Sequence, residues 1–194
     1  MSDSQVLDDI RSVMKYQALY EAFAAASARQ SHARRLKVGA VIISPNGSVI
    51  SHGWNGMPAG MENDCEIVEK IGKEAPPNTE LGDFALISPL GTASKLKTKP
   101  EVLHAELNAI GKAAEEGRPL KGASMFITDS PCMECSKIIH RCGIRHVHYM
   151  REYRDTSGVE LLRALNVLIT KAESNESLHE TFQNRFRDLT SGQI

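Results

Sequence analysis

Long apolar runs and a dominant charge are both missing from this chain of 194 residues. No apolar run approaches the roughly 20 residues that a membrane-spanning helix needs, and the N-terminal MSDSQVLDDIRSVMKY lacks the apolar stretch of a signal peptide. The 23 basic and 24 acidic residues nearly cancel, so the net charge of −1 creates no field that attracts nucleic acid or a membrane. We therefore expect a cytoplasmic protein with neither as a partner.

Cysteines and aromatic residues are also scarce. Four cysteines are too few for a disulfide scaffold in a chain of this length, and in a reducing compartment a Cys-x-x-Cys pair more often binds a metal or does redox work. The aromatic share of 5% offers few rings on which the bases of a nucleic acid could stack. The length and the hydrophobic share of 41% predict a single globular domain over residues 1–194.

The first half of the chain contains a helical pattern, a hairpin and a stretch without a period. Apolar residues at helical spacing predict one long helix over about 6–29, and two β-branched runs joined by the letters PNG predict a β-hairpin after it. Residues 57–100 carry five prolines and no sustained period. We expect an irregular insertion there, with a short helix near 64–72, and a loop this long in a compact domain is often functional.

Helices and strands alternate in the second half of the chain. The segments VLHAELNAIGKAAEEG, CMECSKIIHRCG and SGVELLRAL are predicted helices, and ASMFITD, IRHVHYM and NVLIT are predicted strands. This alternation is typical of parallel crossovers in a layered α/β sheet, which the leading hairpin makes mixed. A last amphipathic helix is predicted with four residues on its apolar face: Leu178, Phe182, Phe186 and Leu189.

Two of the predicted helices begin with residues that bind metals. One begins with HAE, which contains His104 and Glu106, and the other begins with PCMEC, which contains Cys132 and Cys135. Residues three apart share a helix face, and the partial positive charge at a helix N-terminus favours the thiolates that zinc binds. The two thiols alone fit a redox pair, half of a structural zinc site or part of a catalytic zinc site.

The number of ligands favours the catalytic zinc site. His104, Cys132 and Cys135 make three, and three protein ligands with an open fourth position are typical of catalytic zinc, whereas a structural site is closed by four. The two other cysteines have no spacing that marks a fourth ligand. Glu106 lies two residues past His104 on another side of the backbone, where it can take a proton from a water whose pKa the metal lowers to about 7. We predict one zinc per chain and a catalytic Glu106.

The pattern HAE followed by PCxxC is the signature of zinc nucleobase deaminases. Together with LKVGAVI, GWNGMPAG, TKPEVLHAELNAI, SPCMECSKIIHRCGI and EYRDTSGVELL, it makes the chain resemble deoxycytidylate (dCMP) deaminases of the phage and bacterial type, in the cytidine deaminase-like superfamily. The resemblance runs from about Arg35 to Leu168, and Trp54 departs from it because the family more often has tyrosine there. It implies a three-layer α/β/α fold with a central mixed sheet of about five strands.

The resemblance also implies an activity and its residues. The reaction would be hydrolysis of dCMP to dUMP and ammonia, which supplies a thymidylate precursor, with Glu106 moving protons from water to N3 of the cytosine and then to the departing amino group. Arg35 and Tyr153 would hold the phosphate. The complete set of implied substrate contacts is Asn55, Ala105, Asn108, Ser130, Tyr153 and Arg35. Many such enzymes are hexamers activated by dCTP and inhibited by dTTP, so the resemblance further implies a homohexamer with regulatory nucleotides and Mg²⁺.

Two alternatives remain open at this point. A deaminase of the same fold could act on another cytosine nucleotide or on single-stranded nucleic acid, but the neutral charge and the few aromatic residues argue against a nucleic-acid substrate. A zinc-binding module without catalysis is the other alternative. The ligand count and the presence of Glu106 argue against it.

Overall fold

The computed structural model describes residues 3–70, 85–87 and 93–172. The helix predicted around Leu178 and Phe182 lies outside these residues. The helices within them are α1 (Asp3–Met14), α2 (Gln17–Ala28), α3 (Ala105–Glu115), α4 (Met133–Arg141) and α5 (Ser157–Ala164). The strands are β1 (Gly39–Ile43), β2 (Val49–Trp54), β3 (Glu66–Lys70), β4 (Ala85–Ile87), β5 (Ala93–Thr98), β6 (Ser124–Asp129), β7 (His146–Arg151) and β8 (Leu168–Lys171).

A mixed sheet of five strands forms the centre, in the order β2-β1-β6-β7-β8. Strand β1 is antiparallel to both β2 and β6, whereas β6, β7 and β8 are mutually parallel through the crossover helices α4 and α5. The hairpin predicted around the letters PNG is confirmed, and its turn uses Gly47 at φ +85°, a conformation that glycine adopts without strain. The predicted mixed sheet of about five strands is also confirmed.

Helices cover both faces of this sheet, which explains why all five residues of β1 are buried. Ala40 and Ile42 pack into a large apolar cluster with residues of α3, α4 and α5. Val41 and Ile43 point the other way and pack against Tyr20 and other apolar residues on the α1–α2 side. Side chains alternate across a strand, so one buried run of five residues serves two cores and the fold has three layers, α/β/α.

The single N-terminal helix predicted over 6–29 is wrong, because the chain forms two helices there. Tyr16 leaves the helical conformation, with φ −109° and ψ 23°, and its N–H donates to the carbonyl of Val13 in a tight turn. Leu7 and Leu19 are about half exposed as a result, at 45% and 53%. A break of one or two residues leaves the apolar spacing on either side nearly intact, so the pattern does not reveal it.

The short helix predicted near 64–72 is wrong as well, since Glu66–Lys70 is strand β3. It pairs in antiparallel register with β5, which also pairs with β4, so three segments of the insertion at 57–100 form a second, three-stranded sheet where an irregular segment was expected. Two β-branched residues in EIVEK favour a strand. Its partner lies more than twenty residues further along the chain, a pairing that local periodicity does not encode. No helix among the described residues is long and apolar enough to cross a membrane.

Candidate active site

The first half of the site is the start of α3. His104 is the residue directly before the helix, in extended conformation, and its carbonyl accepts the N–H of Asn108. The backbone of α3 lies so close to β2 that a Cβ on Gly53 would collide with the carbonyl oxygen of Ala105. This close approach fixes the helix start against the end of a buried strand.

The second half is the start of α4, which follows the carboxyl end of β6. Cys132 directly precedes this helix and Cys135 lies in its first turn, so both thiols point to the same place. Gly158 of α5 packs on the turn, where any Cβ would collide with the carbonyl of Pro131. The strand ends thus bring two helix N-termini together, as the sequence predicted.

The three predicted metal ligands form a cluster. The Nδ1 atom of His104 lies 3.5 Å from the Sγ atom of Cys132 and 3.3 Å from that of Cys135. Tetrahedral zinc with a nitrogen ligand at about 2.0–2.1 Å and a sulfur ligand at about 2.3 Å holds these atoms about 3.6 Å apart. The donor set therefore fits zinc in type, number and spacing. Within the described ranges it is the only group of three or more such residues with ligand atoms this close, all within 4.8 Å.

These groups also polarise one another. The hydrogen bond from Cys135 lowers the pKa of the Cys132 thiol to about 3, and the same bond raises the pKa of Cys135. The bond with Cys132 likewise raises the pKa of His104. A cluster with a thiolate and a few shared protons is one that releases those protons when it binds a divalent cation.

Glu106 is buried beside the cluster, with only 4% of its surface exposed. Burial raises the pKa of its carboxyl group. It does not belong to the ligand cluster. A carboxylate buried beside a group of metal ligands is placed to transfer protons in a reaction that takes place there.

A pocket opens over Glu106 and the cluster, with a volume of about 850 Å³ including its mouth. The pocket is open to solvent, so a small molecule can enter it from outside. The lining residues are Arg35, Leu36, Val38, Asn55, Thr98, Val102, His104, Ala105, Glu106, Asp129, Ser130, Cys132 and Tyr153. Five of the six predicted substrate contacts are in this wall, and the sixth, Asn108, is not.

Asn55 and Asn108 both use their side chains within the protein. The Asn55 amide accepts the N–H of Val38 and donates to the carbonyl of Leu36, both at 2.8 Å, so it joins the start of β1 to the end of β2. The Asn108 amide donates to the carbonyl of Trp54 at 2.9 Å. Asn55 thus reaches the pocket as part of its wall, and Asn108 supports that wall from α3.

Ser130 and Tyr153 both line the pocket and contact each other. The Ser130 hydroxyl accepts the N–H of Tyr153 at 2.8 Å, and the Ser130 N–H donates to the carbonyl of Arg151. The loop after β7 is therefore tied to the turn before α4, which carries Cys132. The structure brings these two predicted residues within reach of one ligand.

Sequence reasoning missed Asp129, Thr98 and Glu66. The Asp129 carboxylate lines the pocket and accepts hydrogen bonds from Nε and Nη2 of the Arg151 guanidinium, at 3.1 and 2.9 Å. Its position at the end of a buried strand, just before the metal-binding turn, was a signal that could have found it. Thr98 and Glu66 belong to the second sheet, and nothing in their local sequence marks them.

Trp54, the departure from the family pattern, lies outside the pocket wall. Its ring faces the Lys112 ammonium at 4.4 Å and packs near His52. The tryptophan therefore makes a cation–π contact with α3 on the outer side of β2. This cation–π contact uses the aromatic ring alone, so it does not need the hydroxyl group that a tyrosine would bring.

Comparison with known proteins gives one consistent family. The family model for the cytidine and deoxycytidylate deaminase zinc-binding region matches residues 14–151. The deoxycytidylate deaminase of Enterobacteria phage T4 is 38% identical over 132 residues, which are 60% of this chain and 68% of the relative. The deoxycytidylate deaminase of Homo sapiens is 30% identical over 154 residues, 78% of this chain and 74% of the relative.

A solved structure agrees with the sequence matches. The crystal structure of dCMP deaminase from the cyanophage S-TIM5, in complex with dCMP and dUMP, superposes with a TM-score of 0.65 at 34% identity. It covers 81% of this chain and 97% of its own. The resemblance inferred from the motifs is confirmed, as is the three-layer fold. The chain belongs to the cytidine and deoxycytidylate deaminase family of zinc-binding proteins.

Proposed function

We propose that this chain catalyses the hydrolytic deamination of dCMP to dUMP and ammonia, the step that supplies a thymidylate precursor. The observation that carries the proposal is the cluster of His104, Cys132 and Cys135 beside a buried Glu106 at the base of an open pocket. The similarity to deaminases of phage, human and cyanophage origin supports dCMP as the substrate.

The metal site has three protein ligands: His104 through Nδ1, and the sulfur atoms of Cys132 and Cys135. When bound, zinc supplies a Lewis acid and lowers the pKa of a coordinated water to about 7. His104 and Cys132 directly precede α3 and α4, and Cys135 lies in the first turn of α4, so the two helix starts hold all three ligands.

Glu106 is the proton carrier. It takes a proton from the attacking water as a C–O bond forms at C4 of the cytosine, and gives a proton to ring N3. It then takes the second proton from the new hydroxyl group at C4 and delivers it to the exocyclic amino group, as the C4–N bond breaks, the C4 carbonyl forms and ammonia leaves. The carboxylate lines the same pocket as His104 and Cys132. A cytosine bound in this pocket would have its N3 and its amino group near the carboxylate.

The remaining wall residues bind the nucleotide. The backbone of Ala105 and the Ser130 turn contact the base, Asn55 contacts the sugar side of the pocket, and Arg35 with Tyr153 binds the phosphate. Asn108 does not contact the nucleotide itself. It supports Asn55 by donating a hydrogen bond to the carbonyl of the neighbouring Trp54. One cationic side chain and one phenol at the mouth are suited to a phosphate monoester.

The assay that tests the function measures ammonia release from dCMP, deoxycytidine, dCTP, CMP and short oligonucleotides. A charge-assisted hydrogen bond contributes about 1.5–3 kcal/mol, so two of them give dCMP an advantage over deoxycytidine on the order of 10³-fold in kcat/KM. Comparable efficiency on both would refute the phosphate site. A preference for oligonucleotides would favour the alternative of a nucleic-acid deaminase.

We also propose a cytoplasmic homohexamer that dCTP activates and dTTP inhibits, in the presence of Mg²⁺. The pocket wall around Asn55 continues into β2 and Trp54, so a nucleotide bound there would bias the wall between two positions. Coupling of about 1–3 kcal/mol would change substrate affinity roughly 5–150-fold. Rate curves against dCMP that neither nucleotide moves would reject the regulation, and a monomer by light scattering would reject the assembly.

A further inference from the structure

Glu66 is a buried carboxylate outside the catalytic cluster. It begins β3 in the second sheet, and its side chain is only 1% exposed. Its Oε1 atom accepts two consecutive backbone N–H groups, those of Arg34 and Arg35, each at 3.0 Å. A carboxylate that takes up two backbone donors pins the direction of the chain that carries them.

The surroundings of Glu66 retain it in this position. Its Oε2 atom lies 3.7 Å from the Nε atom of Arg34, which offsets part of the buried charge. The preceding residue, Cys65, is buried in a small apolar cluster with Ala33 and Val102. Apolar packing and hydrogen bonds therefore join β3 to the segment that leads into β1.

The same strand pair supplies a second contact to Arg35. Thr98 on β5 is the register partner of Glu66, and directly paired residues of an antiparallel ladder point to the same face. The Thr98 hydroxyl accepts a hydrogen bond from Nη1 of Arg35 at 3.3 Å. Glu66 fixes the backbone of Arg35 and Thr98 orients its guanidinium, and both Arg35 and Thr98 line the pocket.

We propose that Glu66 is a positioning residue for phosphate recognition, acting through Arg35, and that the second sheet exists in part to build this wall of the pocket. The inference rests on the proposed role of Arg35 with a nucleotide substrate. It gives the insertion a function in choosing the phosphorylated substrate, with no part in the chemical step.

The experiment compares kcat and KM for dCMP and deoxycytidine in the zinc-loaded wild type, Glu66→Gln, Glu66→Ala and Arg35→Ala. A mutation that misaligns a positioned group lowers catalytic efficiency by up to about 10²-fold. Glu66→Ala is therefore expected to lower kcat/KM for dCMP by about 10–100-fold, mainly by raising KM. Its kcat/KM for deoxycytidine is expected to change less than about threefold. Glu66→Gln keeps an acceptor for the two N–H groups and is expected to fall between Glu66→Ala and the wild type.

A double variant and a matched control separate positioning from general damage. In the Arg35→Ala background, Glu66→Ala is expected to lower the preference for dCMP no further, because the two residues act as one unit. Glu69→Ala, which removes an exposed carboxylate from the same strand, is expected to match the wild type.

Each outcome has a distinct meaning. The inference is overturned if both Glu66 variants keep the wild-type ratio of kcat/KM for dCMP to kcat/KM for deoxycytidine, whether activity is unchanged or falls equally on both substrates. If Glu66→Ala does not fold, the ratio in Glu66→Gln decides in the same way. A wild type that does not turn over dCMP rejects the proposed function itself, and an Arg35→Ala variant with the full preference for dCMP rejects its phosphate site.

Discussion

Two buried glutamates differ in role because their surroundings differ. Glu66 has one oxygen occupied by two backbone amides, those of Arg34 and Arg35, so this oxygen is already engaged within the protein. Glu106 lies in the pocket wall beside the metal ligands, where water and substrate can reach it. The first is suited to holding structure and the second to transferring protons.

Glu106→Gln is expected to keep zinc and fold but to lose about 10²–10⁴-fold in kcat for dCMP, because the amide cannot take up or deliver the protons of the reaction. Steady-state kinetics with zinc analysis of the same sample measures both properties. Glu115→Gln, on an exposed face of the same helix, is the control and is expected to retain full activity. A Glu106→Gln variant with more than about a tenth of the wild-type rate would contradict the proton-carrier role.

Cys132→Ser and Cys135→Ser are each expected to lower the zinc content well below one ion per chain, because a neutral hydroxyl replaces a thiolate ligand in a site of three. Elemental analysis after dialysis measures the content. The matched control is Cys142→Ser, which changes a free cysteine at the other end of the same helix, α4, and is expected to retain one zinc. Undiminished zinc in the first two variants would overturn the ligand assignment.

At the scale of elements, the site depends on how closely helices pack on strands. Gly53→Ala places a Cβ against the backbone of α3 at Ala105 and Ala109, so it is expected to destabilise the fold by about 1–3 kcal/mol and to reduce activity by shifting the start of the helix. Gly111→Ala, on the open side of the same helix, is expected to stabilise it by up to about 1 kcal/mol. Urea unfolding of both variants measures the difference, and equal effects would contradict this packing.

The sequence predicted elements whose signals are local. The turn residues PNG predicted the hairpin. Apolar spacing and the turn residues between segments predicted the two helices whose starts carry His104 and Cys132. The strand at Glu66–Lys70 was missed because its partner, β5, is distant in the chain, and strand pairing is then set by tertiary contacts. The break at Tyr16 was missed because apolar spacing continues through it.

The candidate site was predictable to a different extent for each part. The cluster of His104, Cys132 and Cys135, with Glu106 beside it, was predictable because metal chemistry restricts both residue type and spacing. The wall of the pocket was predicted only in part, since Asp129 and Thr98 reach it by the packing of separate elements, and Glu66 contacts the backbone of the wall residue Arg35 from the second sheet. The hydrogen bonds of the Asn55 amide with the backbone of Leu36 and Val38, just before β1, could not be predicted from the letters NG.

At the scale of the whole molecule, acid stability depends on a buried polar chain on the α2 side of the sheet. There Glu21 bonds the ring of His148, and Thr170 lies 2.8 Å from the rings of both His148 and His146. Burial, reinforced by the nearby His148, lowers the pKa of His146 to about 3. Below its ordinary pKa of about 6.5 the unfolded chain binds a proton that the folded chain does not, so stability falls as the pH drops from about 6.5 towards 3.

His146→Gln is expected to remove this dependence. Between about pH 6 and pH 4 the free energy of unfolding of the wild type is expected to fall more steeply than that of the variant, by up to about 1.4 kcal/mol per pH unit. Urea unfolding at several pH values measures the two slopes. His32→Gln, at an exposed position, is expected to keep the wild-type slope, and identical slopes in all three proteins would contradict the account.

The central claim is that the metal ligands, Glu106 and the pocket together catalyse hydrolysis at C4 of dCMP. The most direct measurement incubates the zinc-loaded protein with dCMP in ¹⁸O-labelled water and identifies the product by mass spectrometry. Water is the nucleophile in the proposed reaction, so the account predicts dUMP carrying one ¹⁸O in its base, with one ammonia released per dUMP. Unchanged dCMP, or dUMP without the label, would contradict it.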